Sequence, residues 1–237
     1  MIHKYLILPF ILTISITCQA QLLNNSRTTP YGIFKFSNQD SNAVNDLIQC
    51  CNKSLPVIAD ILKVKFDPNT IVEIFPNQTE YDRNIINYEL AGSPAISENG
   101  KIQMVSPNAE IKVNYIPYPS RLMFVVHEYI HTCIDQIDPS LPMFLNEGLA
   151  CYFGSYDFYR GVVEKYLVRL TFRPSIDQLL NHYNKIPGVD VYSFIFIHFL
   201  IKTEGQQDLL VILKNHSSIK SRNSEWLKFL DDLRLNN

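Results

Sequence analysis

Residues 127–131 read His-Glu-Tyr-Ile-His, the pattern H-E-x-x-H. Two imidazoles that can hold a metal ion and one carboxylate that can act as a base stand there within five residues. The stretch around them, Arg121 to Gln136, is apolar nearly all round: Leu122, Val125, Val126, Tyr129, Ile130, Cys133 and Ile134. It contains neither Gly nor Pro, and it reads as a buried helix. On a helix, positions i and i+4 share a face, so His127 and His131 offer their rings to one point. Glu128 falls about 100° round from His127 and about 60° from His131, beside that point without having to be a ligand. Such groups are costly in an apolar helix unless something balances them. A zinc ion would do so, with Glu128 taking a proton from its water. The plainer alternative is a pair of histidines that satisfy hydrogen bonds in the core.

A catalytic zinc takes a third protein ligand and keeps a fourth position open. The run Pro142-Met143-Phe144-Leu145-Asn146-Glu147-Gly148-Leu149-Ala150 supplies a candidate in Glu147. It follows the turn Asp138-Pro139-Ser140 and reads as a second helix, with Glu147 among Phe144, Leu145, Leu149 and Ala150. A carboxylate in such company calls for a cation. The short link lets the second helix pack antiparallel to the first. Gly148 and Ala150 are small enough for close helix contact near an ion.

H-E-x-x-H followed by P-x-aromatic-L-x-E-G-x-A resembles the gluzincin metallopeptidases, in particular the small secreted peptidase MA-like group. The resemblance implies an α+β, thermolysin-like zincin fold, with a small mixed sheet followed by a helical C-terminal half. It implies His127, His131 and Glu147 as ligands of Zn2+, with Glu128 as general base in peptide-bond hydrolysis. It also carries two further roles. A helix that opens with a tyrosine at the cleft corresponds to Tyr192, whose phenol would donate to an oxyanion. The strand shortly before the metal helix, here Lys101–Ser106, would be the edge on which an extended peptide substrate lies. A packing tyrosine and an ordinary edge strand are the plainer alternatives. The chain departs from the group in two respects: only fifteen residues separate His131 from Glu147, and Phe144 stands where many relatives have Trp.

The elements that must position these residues are legible in outline. Tyr31–Phe36, Thr70–Phe75 and Lys101–Ser106 read as strands. Asp40–Leu62 carries apolar residues at three- and four-residue steps and reads as a long helix, with a kink or break expected at Pro56. Thr79–Asn87 is a short helix, and Pro107–Ser120 is irregular. Beyond Gly154, helices are expected over Tyr156–Leu170, from a Ser175 cap, over Asp190–Leu200 to near Gly205, and over Gln206–Lys214 and Ser224–Leu233. Tyr183 and His182 compete weakly with Tyr192, and His198 reads as a core histidine. For support of the ligands, Asp135 lies one turn beyond His131, whereas Cys151, one turn beyond Glu147, is not suited to that work.

Residues 1–20 read as a signal peptide: a basic start at Lys4, an apolar run from Tyr5 to Ile16, and small residues before Gln21. Lipidation of Cys18 is the alternative. Secretion or export to the cell envelope follows from either, and residues 21–237 then form one domain. No other stretch is long and apolar enough for a transmembrane span. Over the 237 residues the formal charge is −2, and removal of residues 1–20 takes one Lys and no acid, giving −3. That balance offers nothing to a nucleic-acid backbone. Cys50, Cys51, Cys133 and Cys151 remain, and they read as small buried thiols, although a Cys133–Cys151 pair is conceivable. Two other functions stay open: a binding protein on the same scaffold, and a zinc hydrolase of non-peptide amides or esters.

Overall fold

A computed structural model describes residues 22–85, 92–110, 116–166 and 172–235. The expected signal peptide, residues 1–20, lies outside them, as do the far ends of the helices expected to reach Asn87 and Leu170. The chain is mixed α+β, with a small mixed sheet followed by a mostly helical C-terminal half. Two compact units are distinguished: Met1–Gln49 with Asp67–Tyr118, and Cys50–Phe66 with Pro119–Asn237.

The first unit holds a five-stranded sheet of order β1-β2-β3-β5-β4. Its strands are β1 (Asn25–Thr29), β2 (Gly32–Phe36), β3 (Ile71–Phe75), β4 (Ala95–Glu98) and β5 (Lys101–Val105). β2, β3 and β5 run parallel, while β1 and β4 pair antiparallel to β2 and β5. The interior strands I-V-E-I-F and K-I-Q-M-V are buried on both faces, which is why they read as nearly continuous apolar runs. The carboxylate within them is paired: Glu73 accepts from Lys101 Nζ at 2.6 Å and from Gln103 Nε2 at 3.0 Å. β1 escapes sequence reading because N-S-R-T-T has no apolar alternation; it is held through backbone pairing to β2.

The expected edge at Lys101–Ser106 is corrected by this topology. β5 has β3 on one side and β4 on the other, so its backbone groups are already paired and it offers no edge to a peptide. The four-residue β4, too short to register as a strand in the sequence, takes the outer position instead.

Helix α1 (Ser41–Leu62) runs through Pro56 without a break. The ring sits on the exposed side, among Asn52, Lys53 and Val57, where the carbonyl it frees can be solvated. In the first unit α2 (Gln78–Asn84) starts at Asn77, whose side chain accepts from Glu80 N at 2.9 Å.

The second unit carries α3 (Tyr118–His131), α4 (Met143–Leu149), a π-helical turn (Ala150–Gly154), α5 (Tyr156–Tyr166), α6 (Ile176–Asn181), α7 (Val189–Glu204), α8 (Leu209–Lys214) and α9 (Asn223–Leu235). α3 starts earlier than expected because Pro119, in its first turn, needs no N–H partner. It ends at His131, and a 3₁₀ turn, Ile134–Gln136, follows. The Gln136 amide brackets Lys65, donating to its carbonyl at 2.7 Å and accepting from its N–H at 2.8 Å. α7 is apolar almost throughout, with Tyr192 to Ile197 buried. α4 lies against it through Gly148, where a Cβ would stand 2.7 Å from Ser193 O and 2.8 Å from Ile197 Cγ1. The expected closeness at Gly148 is therefore contact with α7. Ser175 opens α6 with a reciprocal capping box to Gln178. Among the described residues no helix is long and apolar enough to cross a membrane.

Candidate metal centre

His127 and His131 stand one turn apart on α3, and their rings meet edge to face with centroids 4.8 Å apart. Their Nε2 atoms are 3.1 Å from each other. Glu147, in the middle of α4, brings Oε2 to 3.6 Å from His127 Nε2 and Oε1 to 3.6 Å from His131 Nε2. Among the described residues these three form the group whose potential ligand atoms all fall within 4.8 Å of one another. A tetrahedral zinc with bonds of about 2.0–2.1 Å separates its ligand atoms by about 3.4 Å. The donor set fits the ion in type, and its spacings, 3.1 Å between the two Nε2 atoms and 3.6 Å from each to one or the other Glu147 oxygen, lie near that value.

The loop between the helices is fixed by its own chemistry. Asp138 Oδ1 accepts from Ser140 N at 2.8 Å and from Ser140 Oγ at 2.7 Å, an Asx turn that reverses the chain before Pro142. Asp138 Oδ2 lies 3.3 Å from His216 Nδ1. Pro142 then opens α4, and Phe144, Leu145, Gly148 and Leu149, at positions i, i+1, i+4 and i+5, form its buried face, with Glu147 beside them.

The other ring nitrogen of His131 has a partner. His131 Nδ1 lies 2.7 Å from Asn146 Oδ1. A carbonyl oxygen accepts, so Nδ1 carries the proton and Nε2 keeps its lone pair for an ion. Asn146 takes the place expected for Asp135, which is exposed on the 3₁₀ turn. Cys151, Glu147 and Glu128 lie close enough to His127 to raise its pKa. Cys151, which its side-chain type had ruled out as a support, is thus a neighbour of His127. Asn146 and Cys151 went unrecognised because neither type stands out as a partner in the sequence.

The charges balance within the cluster. Burial opposes a charged His127, but Cys151, Glu147 and Glu128 outweigh it and hold the imidazole pKa well above the histidine range. Burial likewise pushes Glu147 upward, and the hydrogen bond from His127 with the charges of both imidazoles brings it below the usual carboxylate value. Glu128 is buried, 7% exposed, next to His127 and outside the ligand group, as the helical spacing requires.

Tyr192 is placed elsewhere than its expected role needs. It is fully buried, and its hydroxyl donates to Phe172 O at 2.5 Å. The phenols that feel the charge of Glu147 are Tyr183 and Tyr159. Burial, Asp190 and Glu147 push the Tyr183 phenol upward, and its hydroxyl donates to Asp190 Oδ1 at 2.5 Å. Burial and the neighbouring Cys151 do the same to Tyr159. These residues come from two segments with no shared periodicity, so only the tertiary fold brings them near Glu147. His182 is exposed, and His198 stands half-buried against Tyr152 and Phe229 with Nδ1 lacking a partner. Cys50, Cys51, Cys133 and Cys151 are all free thiols. No protein-family model matches this chain, and no curated protein matches it.

Proposed function

We propose that this chain is a zinc-dependent peptidase of the gluzincin kind, on a zincin-like fold, that hydrolyses peptide bonds with Glu128 as general base. The observation that carries the reading is the convergence of His127 Nε2, His131 Nε2 and the Glu147 carboxylate within 4.8 Å, beside a buried carboxylate that is not in the group. His127, His131 and Glu147 would hold the ion. When bound there, zinc supplies Lewis acidity that acidifies a water and polarises a carbonyl. Asn146 keeps the His131 ring turned with Nε2 towards Glu147. Glu128 takes the proton of the attacking water and returns it to the departing amine. The reading also makes the mature chain a secreted or cell-envelope protein, and the exported form should begin at Gln21.

The test is elemental analysis of the purified chain together with digestion of a peptide mixture, with and without a chelator. One zinc per chain and chelator-sensitive cleavage are expected. In Glu147→Ala the zinc should be lost at limiting metal. Cleavage that persists in chelator overturns the zinc mechanism, and metal without cleavage of peptides, amides or esters makes the protein a binding module.

A further inference from the structure

The residues just after Glu147 do not continue as α-helix. Ala150–Gly154 forms a π-helical turn, and α5 begins only at Tyr156. Single π turns inside helical runs add a residue and re-aim the side chains that follow. Here the extra residue brings two positions of the turn onto one histidine.

The first is Gly154. A Cβ at this position would lie 2.5 Å from His127 Cα, 2.6 Å from His127 N and 3.0 Å from His127 Cβ. The two nearest are backbone atoms in the interior of α3, which cannot swing aside as the end of a long side chain can. The second is Cys151, wholly buried, whose thiol neighbours the His127 side chain and the Tyr159 phenol. His127 Nε2 faces His131 and Glu147.

We propose that the π-helical turn Ala150–Gly154 is a clamp for His127, in which Gly154 seats the backbone and Cys151 orients the ring. Gly154 and Cys151 are positioning residues, and this role rests on the reading of His127 as a metal ligand. The clamp ties the ligand of one helix to the segment that follows the ligand of the next, so that His127 and Glu147 keep a common register. A carboxylate or carbonyl is the usual partner of a ligating histidine. Here a sulfur fills that place, and the Tyr159 hydroxyl is its second neighbour.

The test compares Gly154→Ala, Cys151→Ala and Cys151→Ser with Gly161→Ala, where an added Cβ meets nothing within 4 Å. Two measurements are made on the full mature chain: zinc affinity by competition with a chelating dye, and the ring-nitrogen NMR shifts of His127 in the metal-free protein. Gly154→Ala and Cys151→Ala should each move the His127 shifts and weaken zinc by about tenfold or more. Cys151→Ser, which keeps an acceptor, should recover part of the affinity, and Gly161→Ala should match the parent in both measurements. If Gly154→Ala does not fold, the Cys151→Ala and Cys151→Ser pair decides. Parent-like shifts and affinity in Cys151→Ala overturn the clamp. If the parent binds no zinc, the metal reading fails, whereas the metal-free shifts still decide whether the turn orients the ring.

Discussion

Asn146 Oδ1 lies 2.7 Å from His131 Nδ1, and the next residue along the chain is Glu147. One turn of α4 therefore supplies both an acid to the cluster and the acceptor that orients one of its imidazoles. Replacing Asn146 with Leu removes the acceptor and frees the ring. Zinc affinity should fall about 10- to 100-fold, read by dye competition, with the far-ultraviolet circular dichroism unchanged. Asn146→Asp keeps an acceptor at the same distance and should retain most of the affinity. Parent-like binding in Asn146→Leu would remove Asn146 from the site.

Glu128 is buried beside His127 and is not one of the three converging ligands. Glu128→Gln keeps the shape and removes the base. Turnover of a peptide substrate should drop about 10²- to 10⁴-fold, while the zinc content per chain stays as in the parent. A variant that cleaves at the parent rate shows that another group takes the proton.

The raised pKa of His127 sets the sign of two pH effects. In the metal-free chain the group binds its proton more tightly when folded than when unfolded. Its contribution to stability is thus complete below about pH 6.5 and is lost as pH rises through the higher folded value. Zinc must displace that proton. Affinity should therefore increase with pH, by about tenfold per unit while His127 is protonated in the free chain. Calorimetric titrations in buffers of different ionisation enthalpy would show the released proton. A zinc affinity independent of pH from 6 to 8 would mean that His127 carries no proton for zinc to displace.

Gly148 and Gly161 make an internal comparison on neighbouring helices. A Cβ at Gly148 would meet Ser193 O at 2.7 Å and Ile197 Cγ1 at 2.8 Å, so Gly148→Ala forces α4 and α7 apart. The cost should be about 1–3 kcal/mol. Gly161 is exposed within α5 with open space around it, and Gly161→Ala should stabilise by about 0.5–1 kcal/mol. Thermal melts of the two variants should shift in opposite directions; a Gly148→Ala melt equal to the parent would show that the helices are free to separate.

Elements with strong local patterns were readable in advance. β2, β3 and β5 stand within a residue or two of the expected strands, and Ser175 caps α6 as its spacing with Gln178 requires. Where the pattern is weak, tertiary context decided. β1 is polar and exists through its pairing with β2, and β4 is four residues long. The burial of β5 between β3 and β4 was not legible either, because an apolar strand reads alike at an edge and in the middle of a sheet until its neighbours are known. Pro56 is tolerated for the same kind of reason: exposure on the folded helix, not the residue type, settles whether the lost hydrogen bond matters.

By itself the sequence determined that His127 and His131 share one helical face and that Glu128 stands beside them, because those relations follow from the 3.6-residue period of a single element. It also made Glu147 a candidate, through an acid set in an apolar run. Only the tertiary structure decided that Glu147 reaches both rings, that Asn146 takes the remaining nitrogen of His131, that Cys151 and Gly154 neighbour His127, and that the Tyr192 hydroxyl is spent on Phe172. These are relations between separate elements. They depend on how a loop reverses and on where a π turn re-aims the chain, and no spacing along a single helix encodes either.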